Sequence, residues 1–204
     1  MKLYYSPGAC SMSPHIALLE AGLPYDLVKV DLKAKKLENG DDYLSINPKG
    51  QVPALGLDSG ELLTEGPVIV QYIADQAAGK KLAPAIGSDA RRKLQEWLTF
   101  INGEVHKNFS PLFQPAFDDD VKGFFRTRVT GKFKYIDSAL AGSDYLTGSD
   151  FTVADGYLFV MLNWAERMGL DLSGLPNLMA FKARVAARPM VKEALTKEGM
   201  LKAA

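Results

Sequence analysis

The sequence predicts an α/β region followed by an all-helical region. Three observations carry that reading. Short apolar runs with close turn signals fill residues 1–78. Apolar residues recur at helical spacing through residues 88–204. Between them Gly79–Gly87, which contains Pro84, reads as a linker.

Lys2–Tyr5 is the first strand, ended by the breaker Ser6-Pro7-Gly8. A helix follows: Ser13 can cap it, Pro14 suits its first turn and Gly22 can end it. Tyr25–Val30 is a second strand, and the polar stretch Lys33–Asn47 is ambiguous. Ala54–Leu57 and Glu61–Thr64 flank Asp58-Ser59-Gly60, which is hairpin chemistry. Glu65-Gly66-Pro67 then opens a helix through Gln76. Beyond the linker, Ala90–Asn108 carries a core stripe of Leu94, Trp97, Leu98, Ile101 and Val105. Asp119–Leu140, Thr152–Met168, Pro176–Ala187 and Pro189–Glu198 complete the helical set. In the second of these, Thr152 and Asp155 have capping-box spacing.

Composition excludes several classes. Among 204 residues, Lys+Arg and Asp+Glu both number 24, so the balance argues against a general nucleic-acid surface. One cysteine, Cys10, excludes an internal disulfide framework, and with it zinc sites that need several cysteines; no metal is expected. The N-terminus shows no signal-peptide pattern, and no apolar run approaches the roughly 20 residues of a membrane span. The expectation is a cytoplasmic protein without membrane or nucleic-acid partners.

Three local patterns carry chemistry. Cys10 stands after a Pro-Gly turn and before a helix, where unpaired N–H groups favour a thiolate. Cys10-Ser11-Met12-Ser13 has a redox-motif spacing with Ser in the second place, suited to a mixed disulfide. The same position also suits a small buried apolar side chain. Val52-Pro53, just before a strand, is either a plain turn or a cis pair whose Val52 backbone can bind an extended peptide. Glu65-Gly66 at a helix start offers N–H groups for a carboxylate and a carboxylate for an ammonium, as an α-amino acid terminus requires, or simply caps the helix. His106 on its helix reads as a surface residue from its neighbours alone, and His15 as packing or surface.

Taken together, these segments resemble the bacterial beta-class glutathione transferases. The resemblance rests on Tyr5-Ser6-Pro7-Gly8-Ala9-Cys10-Ser11, on Asn47-Pro48-Lys49-Gly50-Gln51-Val52-Pro53-Ala54, on Leu63-Thr64-Glu65-Gly66, on Glu104-Val105-His106-Lys107 and on Phe151-Thr152-Val153-Ala154-Asp155. It spans essentially the whole chain.

The resemblance implies a thioredoxin-like N-terminal domain (1–78), a linker (79–87) and an all-α domain (88–204) that supplies an electrophile pocket and dimer contacts. It implies glutathione as co-substrate, bound between domains of a homodimer, and a small hydrophobic electrophile as its target. By that pattern Cys10 and His106 flank the glutathione sulfur, and Tyr5, Ala9 and Gln51 line the site, Tyr5 as a wall. Val52 beside a cis Pro53 pairs with the cysteinyl part, and Glu65 and Gly66 hold the γ-glutamyl end. Lys35 and Lys107 meet carboxylate charge, and Thr99 and Gly103 lie where a second subunit approaches. The aromatics Phe109, Phe113, Phe117 and Trp164 suit either an electrophile pocket or ordinary core packing. Conjugation is the expected reaction. Thiol–disulfide exchange or peroxidase chemistry through Cys10, or a binding protein without catalysis, are the alternatives.

Overall fold

A computed structural model describes residues 1–201. Its first unit is built on a five-stranded sheet. Strands β1 (Lys2–Tyr5) and β2 (Asp26–Asp31) run parallel, with Leu3 opposite Leu27. Strand β3 (Lys36–Leu37) adds antiparallel to β2. The hairpin β4 (Ala54–Gly56) and β5 (Leu62–Thr64) joins the other edge of β1, giving the order β3-β2-β1-β4-β5. Helices α1 (Met12–Ala21) and α2 (Gly66–Gln76) pack on one another. This is the thioredoxin-like arrangement. Its core holds Leu3, Ile16, Leu18, Leu55, Ile69 and Ile73, all buried.

The start of α1 lies earlier than the Ser13-Pro14 signal placed it. Ser11 occupies the N-cap, but its hydroxyl turns back to the chain before it: Ser6 N–H donates to Ser11 Oγ at 3.1 Å, and Oγ donates to Ser6 O at 3.3 Å. Gly22 ends the helix as expected, at φ 67°, where a Cβ would be strained. The ambiguous stretch contains β3 and a single 3₁₀ turn, Tyr43–Ser45.

The second compact unit, Pro84–Ala187, is helical. Helix α3 (Asp89–Phe100) continues without a break into a π-helical segment, Ile101–His106, and then into α4 (Lys107–Phe109). Helices α5 (Asp119–Ala139), α6 (Val153–Arg167) and α7 (Pro176–Ala186) follow. Helix α6 is the centre of this unit, with twelve of its residues buried from Val153 to Ala165. The expected capping box forms: Thr152 N–H and hydroxyl both donate to Asp155 Oδ2, at 2.7 and 2.8 Å. Asp155 Oδ1 accepts the Leu146 N–H at 2.9 Å, so one buried carboxyl also ties down the preceding loop.

Helix α8 (Pro189–Lys197) departs from the sequence boundary at residue 88. Residues 188–201 group with Met1–Ala83, and α8 packs against α1. Two attachments explain this. Val191 and Ala194 are fully buried, and Arg188 forks onto Glu20 of α1 with bonds of 2.6 and 2.8 Å.

Candidate active site

The loop from Ser6 to Ser11 carries Cys10 and is held from several sides. Ala9 N–H bonds Ser6 O at 3.0 Å, and the Met12 and Ser13 N–H groups reach Ala9 O and Cys10 O, each at 3.1 Å. Gly8 takes φ 67°, a conformation that favours glycine. Its N–H donates to Glu198 Oε2 at 2.9 Å. The other oxygen of Glu198 meets His15 Nδ1 at 2.8 Å, and His15 Nε2 meets the Tyr25 hydroxyl at 3.0 Å. The side chains of His15 and Glu198 are both wholly buried. His15 is therefore neither surface nor plain packing: it braces the acid that braces the cysteine loop.

Cys10 is half-buried, and its Sγ donates to Val52 O at 3.2 Å. In that contact the sulfur carries its proton. The Val52–Pro53 bond is cis. The Gln51 carbonyl before it accepts from the Tyr43 hydroxyl and from Asn47 Nδ2, both at 2.8 Å. Tyr43 is fully buried, and burial pushes its hydroxyl pKa up. Tyr43, Val30 and Val52 form a small core against which Tyr4 and Ala9 pack. This apolar knot sets the cysteine loop beside the Val52 backbone.

The hairpin supplies the next neighbours. Ala54 pairs with Thr64, so Val52-Pro53 and Glu65-Gly66 leave the same end of the β4–β5 ladder. A Cβ on Gly66 would stand 3.8 Å from Pro53 Cγ, ordinary contact. Glu65 holds φ 70° just before α2, and its carboxylate takes the Lys49 ammonium at 2.6 Å; the same ammonium reaches Thr64 Oγ1 at 3.0 Å. Lys35, at φ 57°, donates from Nζ to Gly50 O at 2.7 Å. Gly50 has φ 61°, and a Cβ there would approach Leu44 Cδ2 to 3.0 Å. Tyr5 ends β1, and burial raises its pKa first, with the charges of Glu198 and Glu38 adding to the effect. One region of the first unit thus gathers Tyr5, Ala9, Cys10, Gln51, Val52, Pro53, Glu65 and Gly66, with the Lys35 head group fastened to the turn at Gly50.

The helical unit holds the remaining four. Thr99 is exposed and bonds back to Gln95 O at 2.8 Å. Gly103 is exposed in the π segment, with open space where a Cβ would stand. Lys107 is exposed one residue beyond the π segment. His106 is not a surface residue. Its Nδ1 meets the Tyr157 hydroxyl at 2.6 Å, and its ring stands edge-on to Tyr157 and to Trp164, with centroids 5.9 and 4.9 Å away. Burial lowers its pKa to about 4, helped by the Lys107 charge, so the ring is neutral near pH 7. Trp164 in turn meets Phe109 and Phe113 edge-on, while Phe117 is exposed. Phe109 is core; Phe113 keeps an exposed face.

Residues 8–76 match the glutathione S-transferase N-terminal domain family, and residues 104–198 match the glutathione S-transferase C-terminal domain family. The glutathione S-transferase GstA of Escherichia coli is 48% identical over 98% of this chain and 100% of the relative. A solved beta-class glutathione S-transferase of Sphingomonas chungbukensis superposes with a TM-score of 0.96 at 50% identity, over 98% of this chain and 100% of that one. The chain belongs to the bacterial beta-class glutathione transferases. A sphingomonad glutathione S-transferase solved in complex with glutathione superposes with a TM-score of 0.95 at 49% identity, over 98% of this chain and 100% of that one. Among the described residues of this transferase no helix is long and apolar enough to cross a membrane.

Sequence reasoning missed four side chains of this transferase's site region: Glu198 on the cysteine loop, Lys49 on Glu65, and Tyr157 and Asn102 around His106. Glu198 and Tyr157 act across long stretches of chain and leave no local signal. Lys49 lay inside the quoted Asn47–Ala54 motif, and its offset from Glu65 becomes contact only once the hairpin has folded.

Proposed function

We propose that this glutathione transferase binds glutathione along the Val52 backbone beside Pro53, with the γ-glutamyl end at Glu65 and Gly66 and the sulfur beside Cys10. Tyr5, Ala9 and Gln51 line the site, and Lys35 and Lys107 supply positive charge for carboxylates. His106 is the second residue assigned to the sulfur. Bound glutathione reacts as its thiolate with a small apolar electrophile, such as a halogenated aromatic or an activated alkene. The sulfur forms the new carbon bond, and the leaving group departs or the alkene carbon takes a proton. A thiol pKa lowered by two units corresponds to about 2.7 kcal/mol of preference for the thiolate. The observation that supports this reading best is the joining of Cys10 Sγ to Val52 O at 3.2 Å, at the end of the hairpin where Glu65 and Gly66 also emerge.

The half-buried position of Cys10 beside the Val52 backbone supports a second reaction, thiol–disulfide exchange, for which Cys10 must first give up the proton it shares with Val52 O. A thiolate at Cys10 attacks a mixed disulfide with glutathione, taking the glutathionyl group and releasing the substrate thiolate. A second glutathione thiolate then restores Cys10 and leaves as oxidised glutathione. We further propose a cytoplasmic homodimer in which Thr99 and Gly103 face the second chain.

Conjugation of chlorodinitrobenzene and reduction of a mixed disulfide, measured side by side in wild type and Cys10→Ala, test the two roles. The expected result is near-complete loss of exchange with a smaller fall in conjugation, because bound glutathione brings its own sulfur. Undiminished exchange in the variant overturns the role of Cys10. Absence of glutathione binding in the wild type overturns the whole reading.

A further inference from the structure

We infer that Asn102 and Tyr157 are positioning residues that hold His106 in one tautomer, with the proton on Nδ1 and Nε2 offered as an acceptor to the glutathione thiol. The catalytic half of this inference rests on the proposed placement of His106 at the sulfur; the tautomer itself does not.

The argument is a count of protons. The Tyr157 hydroxyl has one. It donates to Asn102 Oδ1 at 3.0 Å, an amide oxygen with no proton to return. The second contact of the same hydroxyl is His106 Nδ1 at 2.6 Å. With the hydroxyl proton spent on Asn102, Nδ1 must donate to Tyr157 Oη. A neutral imidazole carries a single N–H, so Nε2 is left with its lone pair. Burial keeps the ring neutral, its pKa lowered to about 4.

The fold makes the arrangement rigid. Asn102 and His106 stand near the two ends of the π-helical segment Ile101–His106, and both bond the one hydroxyl. A single wide turn of this kind inside a longer helix is a recurrent mark of functional sites. Ile101 and Val105 anchor the segment, both fully buried. Tyr157 comes from the buried helix α6, whose start is fixed by the Thr152–Asp155 box. The edge-on contacts with Tyr157 and Trp164 hold the plane of the imidazole. Three side chains on two elements therefore set which nitrogen is basic. The consequence is a division of roles: His106 receives the thiol's hydrogen bond, and donors to the developing thiolate come from other groups.

Nitrogen NMR of histidine-labelled protein reads the tautomer directly, because protonated and unprotonated ring nitrogens resonate far apart. The chain has two histidines, so the signals lost in His106→Ala assign His106. The wild type is expected to show Nδ1–H. Asn102→Leu frees the hydroxyl proton for Nδ1 and should invert the ring to Nε2–H, with kcat/KM for chlorodinitrobenzene falling about tenfold, as for one lost hydrogen bond. Asn102→Asp retains an acceptor for the hydroxyl and should restore both the tautomer and the rate. Tyr157→Phe should lose the lock as well, and Asn102→Leu, at a half-exposed position, keeps the test open if that variant does not fold. An Nε2–H ring in the wild type overturns the inference outright. An inverted ring with an unchanged rate, while His106→Ala is slow, overturns the positioning role. An unchanged rate in His106→Ala overturns the placement of His106 at the sulfur, and with it the catalytic half, while the NMR result still decides the tautomer.

Discussion

The carboxylate of Glu198 accepts the backbone N–H of Gly8 at 2.9 Å, joining positions 190 residues apart. The same carboxylate bonds His15, in a pair with no solvent exposure on either side chain. Glu198→Ala removes the carboxylate that accepts from the Gly8 N–H and meets the His15 ring, which costs about 3 kcal/mol. Urea unfolding should show the loss of stability, and Cys10 should react faster with an alkylating reagent as its loop loosens. An unchanged midpoint together with an unchanged alkylation rate would contradict the bracing role.

Glu65 is expected to hold the ammonium of glutathione, and in the structure it holds the ammonium of Lys49 at 2.6 Å. The pair is more than half exposed on both sides, so it adds little to stability. It does place an internal ammonium in competition with the ligand's. Glu65→Gln should weaken glutathione binding about tenfold, the low end for a charge-assisted bond, because the competing pair is removed at the same time. Lys49→Met should strengthen binding modestly. Calorimetric titration of both variants measures the two effects, and equal affinity in all three proteins would refute the assignment.

His106 gives stability a dependence on pH whose sign follows from its shift. The folded-state pKa is about 4, below the ordinary 6.5 of an unfolded chain. Between those values the unfolded chain binds a proton that the folded one refuses. The contribution is therefore complete above the unfolded pKa and is lost as pH falls toward the folded one. From about pH 7 to about pH 5 the loss is about 2 kcal/mol. His106→Leu should flatten that part of the profile, as read from denaturation midpoints at both pH values. Parallel profiles for the two proteins would show that this ring does not carry the effect.

A Cβ on Gly103 would have no neighbour within 4 Å, so a side chain there leaves the helix into open space. Gly103→Trp should leave the unit's thermal unfolding near that of the wild type, with at most a small change in helix propensity. If a second chain approaches this face, the variant should dissociate at higher concentration and bind glutathione less tightly. Sedimentation velocity across a dilution series distinguishes the cases, and a wild-type monomer at micromolar concentration would refute the dimer.

The parts of the fold legible in the sequence were those whose chemistry is local. Asp58-Ser59-Gly60 marks the hairpin because turn residues act within a few positions, and Thr152 and Asp155 mark the start of α6 because a capping box spans one turn. The first turn of α1 was read late because Ser11 spends its hydroxyl on Ser6, outside the helix. The π segment was hidden because Ile101 and Val105, four apart, fit an ordinary helical stripe equally well. His106 read as a surface residue from its neighbours alone and His15 as packing or surface, whereas their settings are fixed by Tyr157 and Glu198, partners that sequence distance conceals. Of the candidate site, the backbone features at Cys10, Val52-Pro53 and Glu65-Gly66 left motifs, and the side chains that steady them did not.

The return of α8 to the first unit bears on how the protein is made. Translation delivers all five strands early, and N-terminal units commonly close as they emerge. Here the unit that carries Cys10 includes α8, so it waits for a segment made after the whole helical unit. The helical unit Pro84–Ala187 is one continuous stretch and can close while the chain is still attached to the ribosome. Until Glu198 has been added, the Gly8 N–H and the His15 ring lack their acceptor. A chain that stops short of Glu198 therefore carries Cys10 without the brace that shapes its loop.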